Sequence, residues 1–178
     1  MTTWRALDAR SLEPGPFHVR TDHPDGSKSI TWRSPSGGRG LGDHRMEDLV
    51  YAERVPLPAR IVLTEGEKAA DAVRAAGIAA VGTVCGASAT PGPHVVSLFS
   101  GVRVTLWPDA DRVGFDHMAR LSQVLEPGVQ TLRLVDLPAG VPDGWDAADA
   151  DPATIRRLVA AAHDIWLSTR VRPLELAS

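Results

Sequence analysis

Two short apolar runs, each ending in carboxylates, constrain this chain more than anything else in it. The first is Arg60 to Lys68, RIVLTEGEK, and the second is Val102 to Asp111, VRVTLWPDAD. Ile61, Val62 and Leu63 read as a buried parallel strand, since a strand covered on both faces carries no alternating polar positions. Glu65, Gly66 and Glu67 sit where that strand turns into a helix. Val102, Val104 and Leu106 read as a second strand, closed by Pro108 and followed by Asp109, Ala110 and Asp111. In open α/β sheets the ligand crevice lies at the carboxyl ends of the strands, so Glu65, Asp109 and Asp111 are expected to converge there. Three carboxylates in one place repel one another unless a divalent cation neutralises them. The pattern points to a Mg²⁺ (or Mn²⁺) site for phosphoryl transfer.

A Glu-Gly motif after one strand, followed 44 positions later by Asp-x-Asp after another, resembles the Toprim domain of primases, topoisomerases, OLD-type nucleases, ribosomal-RNA maturases and recombination mediators. The wording EGEK, LWPDADRVG and DLP…WDAAD is most similar to the primase branch, especially phage and plasmid primases. The match runs from Arg60 to Asp151, about half the chain. It implies an α/β fold with a central four-stranded parallel sheet and helices on both faces. It also implies Mg²⁺-dependent nucleotidyl transfer on nucleic acid. Asp109 and Asp111 become metal ligands, and Glu65 a general acid or base or a further ligand. Many primases carry an acidic residue four positions after the motif glutamate. Here that position is Ala69, and Asp71 falls on another helical face, so a further metal contact is expected from Asp146 or Asp149. Implied partners are single-stranded DNA or another nucleic acid, nucleoside triphosphates, and a helicase or other replication protein.

Composition sets the bounds. A chain of 178 residues with 43% hydrophobic content supports one domain with a real core and a small appendage. A net charge of −3 and a pI near 6.0 give no global cationic footprint for nucleic acid. Residues 1–60 hold nine Lys/Arg against eight Asp/Glu, and residues 61–178 ten against fourteen, so the acidic excess lies in the half with the carboxylate motifs. Cys85 is the only cysteine, which excludes a disulfide framework and a thiolate zinc site, the template-reading device of replicative Toprim primases. The opening MTTWRALDAR lacks the pattern of a signal peptide, and no apolar run is long enough to span a bilayer; the cytoplasm is the expected compartment.

Along the chain, residues 1–58 form a β-rich extension. Two alternating runs around Pro24-Asp25-Gly26 predict a hairpin over residues 17–33, and SPSGGRGLG (34–42) a loop. Arg20, Lys28, Arg33, Arg39 and Arg45 are its candidate phosphate contacts. The Toprim region is expected over 59–168. It comprises a helix from Glu67 to Ala76, a strand over 79–83, and a Gly/Ser/Thr-rich loop (82–92) open to reading as a phosphate loop or a plain connection. A short helix follows at 93–100, then a helix over 112–125 with Phe115, Met118, Ser122 and Leu125 inward, and a strand over 129–137. The last helix is capped by Asp151-Pro152, with Ile155, Leu158, Val159, Ala162 and Trp166 as its apolar stripe. The tail 169–178 is expected to fray. Lys68 and Arg112 are further candidates for phosphate contact, and His94 and His117 read as surface or core residues.

The same carboxylates serve two other functions. A metal-dependent nuclease directs them at water instead of a 3′-hydroxyl, and a non-catalytic nucleic-acid-binding scaffold keeps only the fold. Retention of all three central carboxylates favours catalysis, because a scaffold gains nothing by crowding them.

Overall fold

The computed structural model describes residues 1–84, 86 and 89–165. Its centre is the pair of runs that opens the sequence. Arg60–Thr64 and Arg103–Trp107 are parallel neighbours in a sheet, Ile61 aligned with Val104 and Leu63 with Leu106. Ala80–Thr83 pairs parallel on one side of them and Thr131–Leu134 on the other. In chain order these four parallel strands are β5, β6, β7 and β8, counted after four earlier strands: β1 (Thr2–Asp8), β2 (Glu13–Asp22), β3 (Lys28–Arg33) and β4 (Leu49–Tyr51). The helices are α1 (Glu67–Ala75), α2 (Pro93–Ser97), α3 (Arg112–Leu125) and α4 (Pro152–Ala161), and β9 (His163–Asp164) follows the last.

Strand parity sorts the core into two layers, because successive side chains leave a strand on opposite faces. Ile61, Leu63, Val104 and Leu106 point to one face and pack with Val95 and Phe99 of the α2 region and with Met118, Leu121 and Leu125 of α3. Val62 and Trp107 point to the other, against Ala69, Ala70 and Val73 of α1 and Ile155 and Leu158 of α4. Both faces of the parallel strands are therefore covered, as the continuous apolar runs require.

The expected four-stranded parallel sheet with a small N-terminal β extension is corrected in one respect. All nine strands form one mixed sheet, in the order β3-β2-β1-β4-β6-β5-β7-β8-β9. β4 pairs antiparallel with β6, Val50 opposite Thr83, so the N-terminal strands continue the sheet and cover what would be its open edge. Leu49 and Val50 are 2% and 1% exposed. Burial of such side chains is worth about 1.5–3 kcal/mol each, which makes a three-residue strand worth keeping. The predicted hairpin is present as β2–β3, Thr21 opposite Ser29.

Two smaller expectations shift. Phe115 is 45% exposed; α3 buries His117, Met118, Leu121, Ser122 and Leu125 instead, a face rotated by part of a turn. The last helix ends at Ala161, and the chain turns into β9 against β8. Trp166, the tail 169–178, and Cys85, Ala87 and Ser88 of the 82–92 loop lie outside the described residues. Among the described residues no helix is long and apolar enough to cross a membrane.

A carboxylate cleft at the strand ends

Glu65 follows the last residue of β5, and Asp109 and Asp111 follow β7, so two neighbouring parallel strands deliver all three to one end of the sheet. Two glycines let the surrounding backbone close in. A Cβ on Gly114 would lie 2.7 Å from the Asp109 carbonyl oxygen, and one on Gly82 would lie 2.7 Å from the Gly66 carbonyl oxygen. Any side chain at either position would press on the segment that carries a cleft carboxylate. A third segment joins them: Ala110 N–H donates to the Trp145 carbonyl at 2.8 Å and Gly144 N–H to the Ala110 carbonyl at 3.3 Å, which pins the 144–149 loop against the Asp-x-Asp turn. Trp145 also stacks on buried Trp107, with ring centroids 6.2 Å apart.

The electrostatics follow from this crowding. Asp109 is half-buried, and burial, followed by the charges of Glu65, Asp146, Asp111 and Asp149, pushes its carboxyl from 3.8 up to about 7. Burial likewise raises Glu65, helped by Asp111 and Asp146 and opposed by Arg120. Burial raises Asp146 too, against the Ala148 N–H bond and Lys68. Glu65 Oε2 is buried and accepts no hydrogen bond. A buried carboxylate oxygen without a donor is costly and calls for a proton or a cation.

These side chains share one field without forming a finished cage: among the described residues, no three of His, Cys, Asp and Glu are grouped to hold a metal ion. Mg²⁺ takes one or two protein carboxylates and keeps several waters, so an open set with one orphaned oxygen fits it. Part of the set has structural duties. Asp111 Oδ1 accepts the Gly114 N–H at 2.7 Å as the N-cap of α3. Asp146 Oδ1 accepts the Ala148 N–H at 2.5 Å, and Asp149 Oδ2 accepts the Asp146 N–H at 3.1 Å, a reciprocal cap on the turn at Ala147–Asp149. Lys68 Nζ lies 4.0 Å from Asp149 Oδ1.

Glu65, Asp109, Asp146 and Asp149, but not Asp111, line a cleft of about 420 Å³ whose far wall is the β1–β3 sheet face, with Trp4, His18, Arg20, Lys28 and Ile30. Of the predicted phosphate contacts, Lys68, Arg20 and Lys28 line it. Arg33, Arg39 and Arg112 do not. Arg33 stands opposite Phe17, one residue out of phase with the His18–Trp32 pair, so strand alternation turns it to the other face. Arg39 is exposed, in the loop after β3, and Arg112 is 92% exposed, 3.7 Å from Asp116.

Other contacts escaped the sequence reading. Glu67 is buried, with Oε1 2.5 Å from His18 Nδ1, and His18 stacks on Trp32 with centroids 4.3 Å apart. Asp71 accepts Trp4 Nε1 at 2.7 Å and the Tyr51 hydroxyl at 2.8 Å. These acids bolt the N-terminal strands to α1. Their only sequence signal is a pair of acids on a short helix whose apolar face is already complete.

With this geometry in view, the fold can be compared with known ones. It is similar to that of the catalytic domains of DNA primases. The Aquifex aeolicus primase (zinc-binding and RNA polymerase domains) superposes with a TM-score of 0.65 at 19% identity, over 89% of this chain and 39% of that one. The DnaG primase catalytic domain bound to single-stranded DNA gives 0.64 at 18%, over 91% and 53%. A chain of the bacteriophage T7 assembly of lagging-strand DNA polymerase with primase domains of two gp4 subunits, bound to an RNA/DNA hybrid and dTTP, gives 0.57 at 16%, over 92% and 78%. The chain thus spans about 39% and 53% of the first two. No protein-family model and no curated protein matches the sequence.

Proposed function

We propose that this chain is a primase-type nucleotidyltransferase domain that joins nucleotides on a nucleic-acid template with Mg²⁺ or Mn²⁺. The observation that carries this reading is the convergence of Glu65, Asp109 and Asp111 at the ends of two adjacent parallel strands, with Asp146 and Asp149 of the 144–149 loop beside them. Burial and this crowding push the Asp109 carboxyl up to about 7. A site built this way opposes its own ionisation and is relieved by a cation. Asp109 and Asp111 would hold the metal, with Asp146 or Asp149 as further ligands; Glu65 Oε2 is available to a metal or a proton. When bound, the ion supplies charge neutralisation for the triphosphate and the attacking oxygen.

The chain's own residues do the rest. Glu65, with its raised proton affinity, suits acceptance of the proton from a 3′-hydroxyl as that oxygen attacks the α-phosphorus and pyrophosphate leaves. Lys68, Arg20 and Lys28 line the cleft as monodentate and forked cations for phosphate oxygens. The share of the primases spanned leaves template-holding parts or a helicase partner to be supplied from outside residues 1–178. The test is incubation with labelled single-stranded DNA, nucleoside triphosphates and Mg²⁺ or Mn²⁺. Template-dependent longer products are expected. Shortened strands would replace this reading with the nuclease, and bound but unchanged strands with the scaffold.

A further inference from the structure

At the opposite end of the parallel strands from the carboxylates lies a second cavity of about 450 Å³, and its charge has the opposite sign. Arg60 and Arg103 are the first residues of β5 and β7 and stand directly beside each other in register. Arg133 on β8 and Arg156 on α4 complete a group of four guanidinium groups, over a floor that includes Val62 and Val159. No Asp or Glu lines the cavity among the described residues.

Like charges paired directly across strands are destabilising, and four cations around one hollow multiply that cost. Two of them are held in place by backbone carbonyls, and one of these, Arg133, also by a carboxylate. Arg133 donates to the Ala160 and Ala162 carbonyls, with Asp164 3.5 Å from its Nε, and Arg156 Nη1 donates to the Ala76 carbonyl at 3.2 Å. Arg103 Nε is buried with no hydrogen-bond partner. Forked guanidinium donors gathered around one hollow are how proteins bind phosphate oxygens. The volume falls within the range of about 300–1,000 Å³ usual for small-molecule sites.

We propose that this arginine cavity is a polyphosphate-binding site, sized for a nucleoside triphosphate and separate from the carboxylate cleft. β5 has five residues, which puts the two sites roughly 15 Å apart along the strand. Its ligand therefore binds without occupying the cleft and needs no divalent cation, because arginines do the neutralising. The apolar floor is the place for a base, and the guanidinium groups are the place for the phosphates.

The experiment is calorimetric titration of the full chain with ATP and with pyrophosphate, in metal-free buffer at low salt. The parent is expected to bind. Arg60→Gln and Arg103→Gln should each weaken binding about tenfold or more, the scale of one lost charge-assisted hydrogen bond, while Lys68→Gln, which removes a cation from the carboxylate cleft, leaves it unchanged. Arg60 is exposed, so its variant keeps the fold, and a melting curve verifies that. ATP binding tighter than pyrophosphate assigns the apolar floor to the base. Equal affinities assign the site to the phosphates alone, and both support it. No binding by the parent, unchanged affinity in both arginine variants, or loss confined to Lys68→Gln overturns the proposal, and the last outcome moves the ligand to the cleft. Failure here leaves the primer-synthesis test untouched.

Discussion

Burial and four neighbouring carboxylates make Asp109 bind its proton until about pH 7, against 3.8 for an ordinary aspartate. Between those values the folded protein holds a proton that the unfolded chain has released. Stability from this residue is complete below about pH 4 and is lost as pH rises through about 7. The metal-free protein should therefore melt at a lower temperature at pH 8 than at pH 5, and Asp109→Asn should remove most of that difference and raise the melting temperature at pH 8. Saturating Mg²⁺ should restore the parent's stability at pH 8 and do little for the variant. An identical pH dependence in parent and variant would show that Asp109 does not carry the strain. Glu65 is tested by Glu65→Gln, which keeps size and hydrogen bonding but cannot take a proton. Loss of general-base help costs about 10²–10⁴-fold in turnover. The expected result is that loss with metal affinity little changed; a parallel fall in metal affinity would reassign Glu65 as a ligand. Both residues were legible in the sequence because each ends a β-branched run. Arg33, Arg39 and Arg112 stand out in the sequence by charge, and charge does not tell the face on which alternation or helical phase puts them.

At the scale of elements, Asp111 belongs to two structures at once. One oxygen caps α3 through the Gly114 N–H, and the carboxylate raises the proton affinity of Glu65 and Asp109. The two roles separate by substitution. Asn caps a helix about as well as Asp, whereas Ala costs about 0.5–2 kcal/mol. Asp111→Asn is expected to hold the melting temperature and lose Mg²⁺ affinity, and Asp111→Ala to lose both; calorimetry beside thermal melting reads the two together. Equal destabilisation by Asn and Ala would remove the cap from the account. Helix positions were readable from capping and periodicity, and α3 runs over the residues expected, 112–125. Its buried face was not. Phe115 fits an apolar stripe in the sequence, but His117 is buried there, with Nε2 3.2 Å from the Thr83 hydroxyl. A polar pairing between α3 and β6 leaves no periodic trace.

At the scale of the whole molecule, the four parallel strands were legible because burial on both faces leaves uninterrupted apolar runs. Their union with the N-terminal strands was not, because β4 has only three residues, because β1 buries the charged Asp8 in place of an apolar residue, and because backbone pairing across a sheet has no side-chain signature. The sequence alone divides the chain near residue 58 and predicts that the Toprim core survives removal of residues 1–56. The structure argues for the opposite outcome. Removal of these residues would uncover Gly82 and Thr83 of β6, strip Leu49 and Val50 from the core, and leave Asp71 without Trp4 and Tyr51 and Glu67 without His18. Tyr51 shows how closely that junction is packed: burial, and then its hydrogen bond to Asp71, push its hydroxyl up to about 12. An uncovered strand edge is also a template for association with other chains. The truncated protein is therefore expected to aggregate or to melt without a cooperative transition. The full chain carrying Trp4→Phe, which removes the Nε1 bond to Asp71 and part of the buried ring, should stay folded and lose about 0.5–1.5 kcal/mol for the hydrogen bond, because half-exposed Asp71 keeps Tyr51 and Arg74. Size-exclusion chromatography and thermal melting of both proteins check this. A soluble, monomeric truncation that melts cooperatively near the parent's temperature would return the N-terminal strands to the status of an appendage.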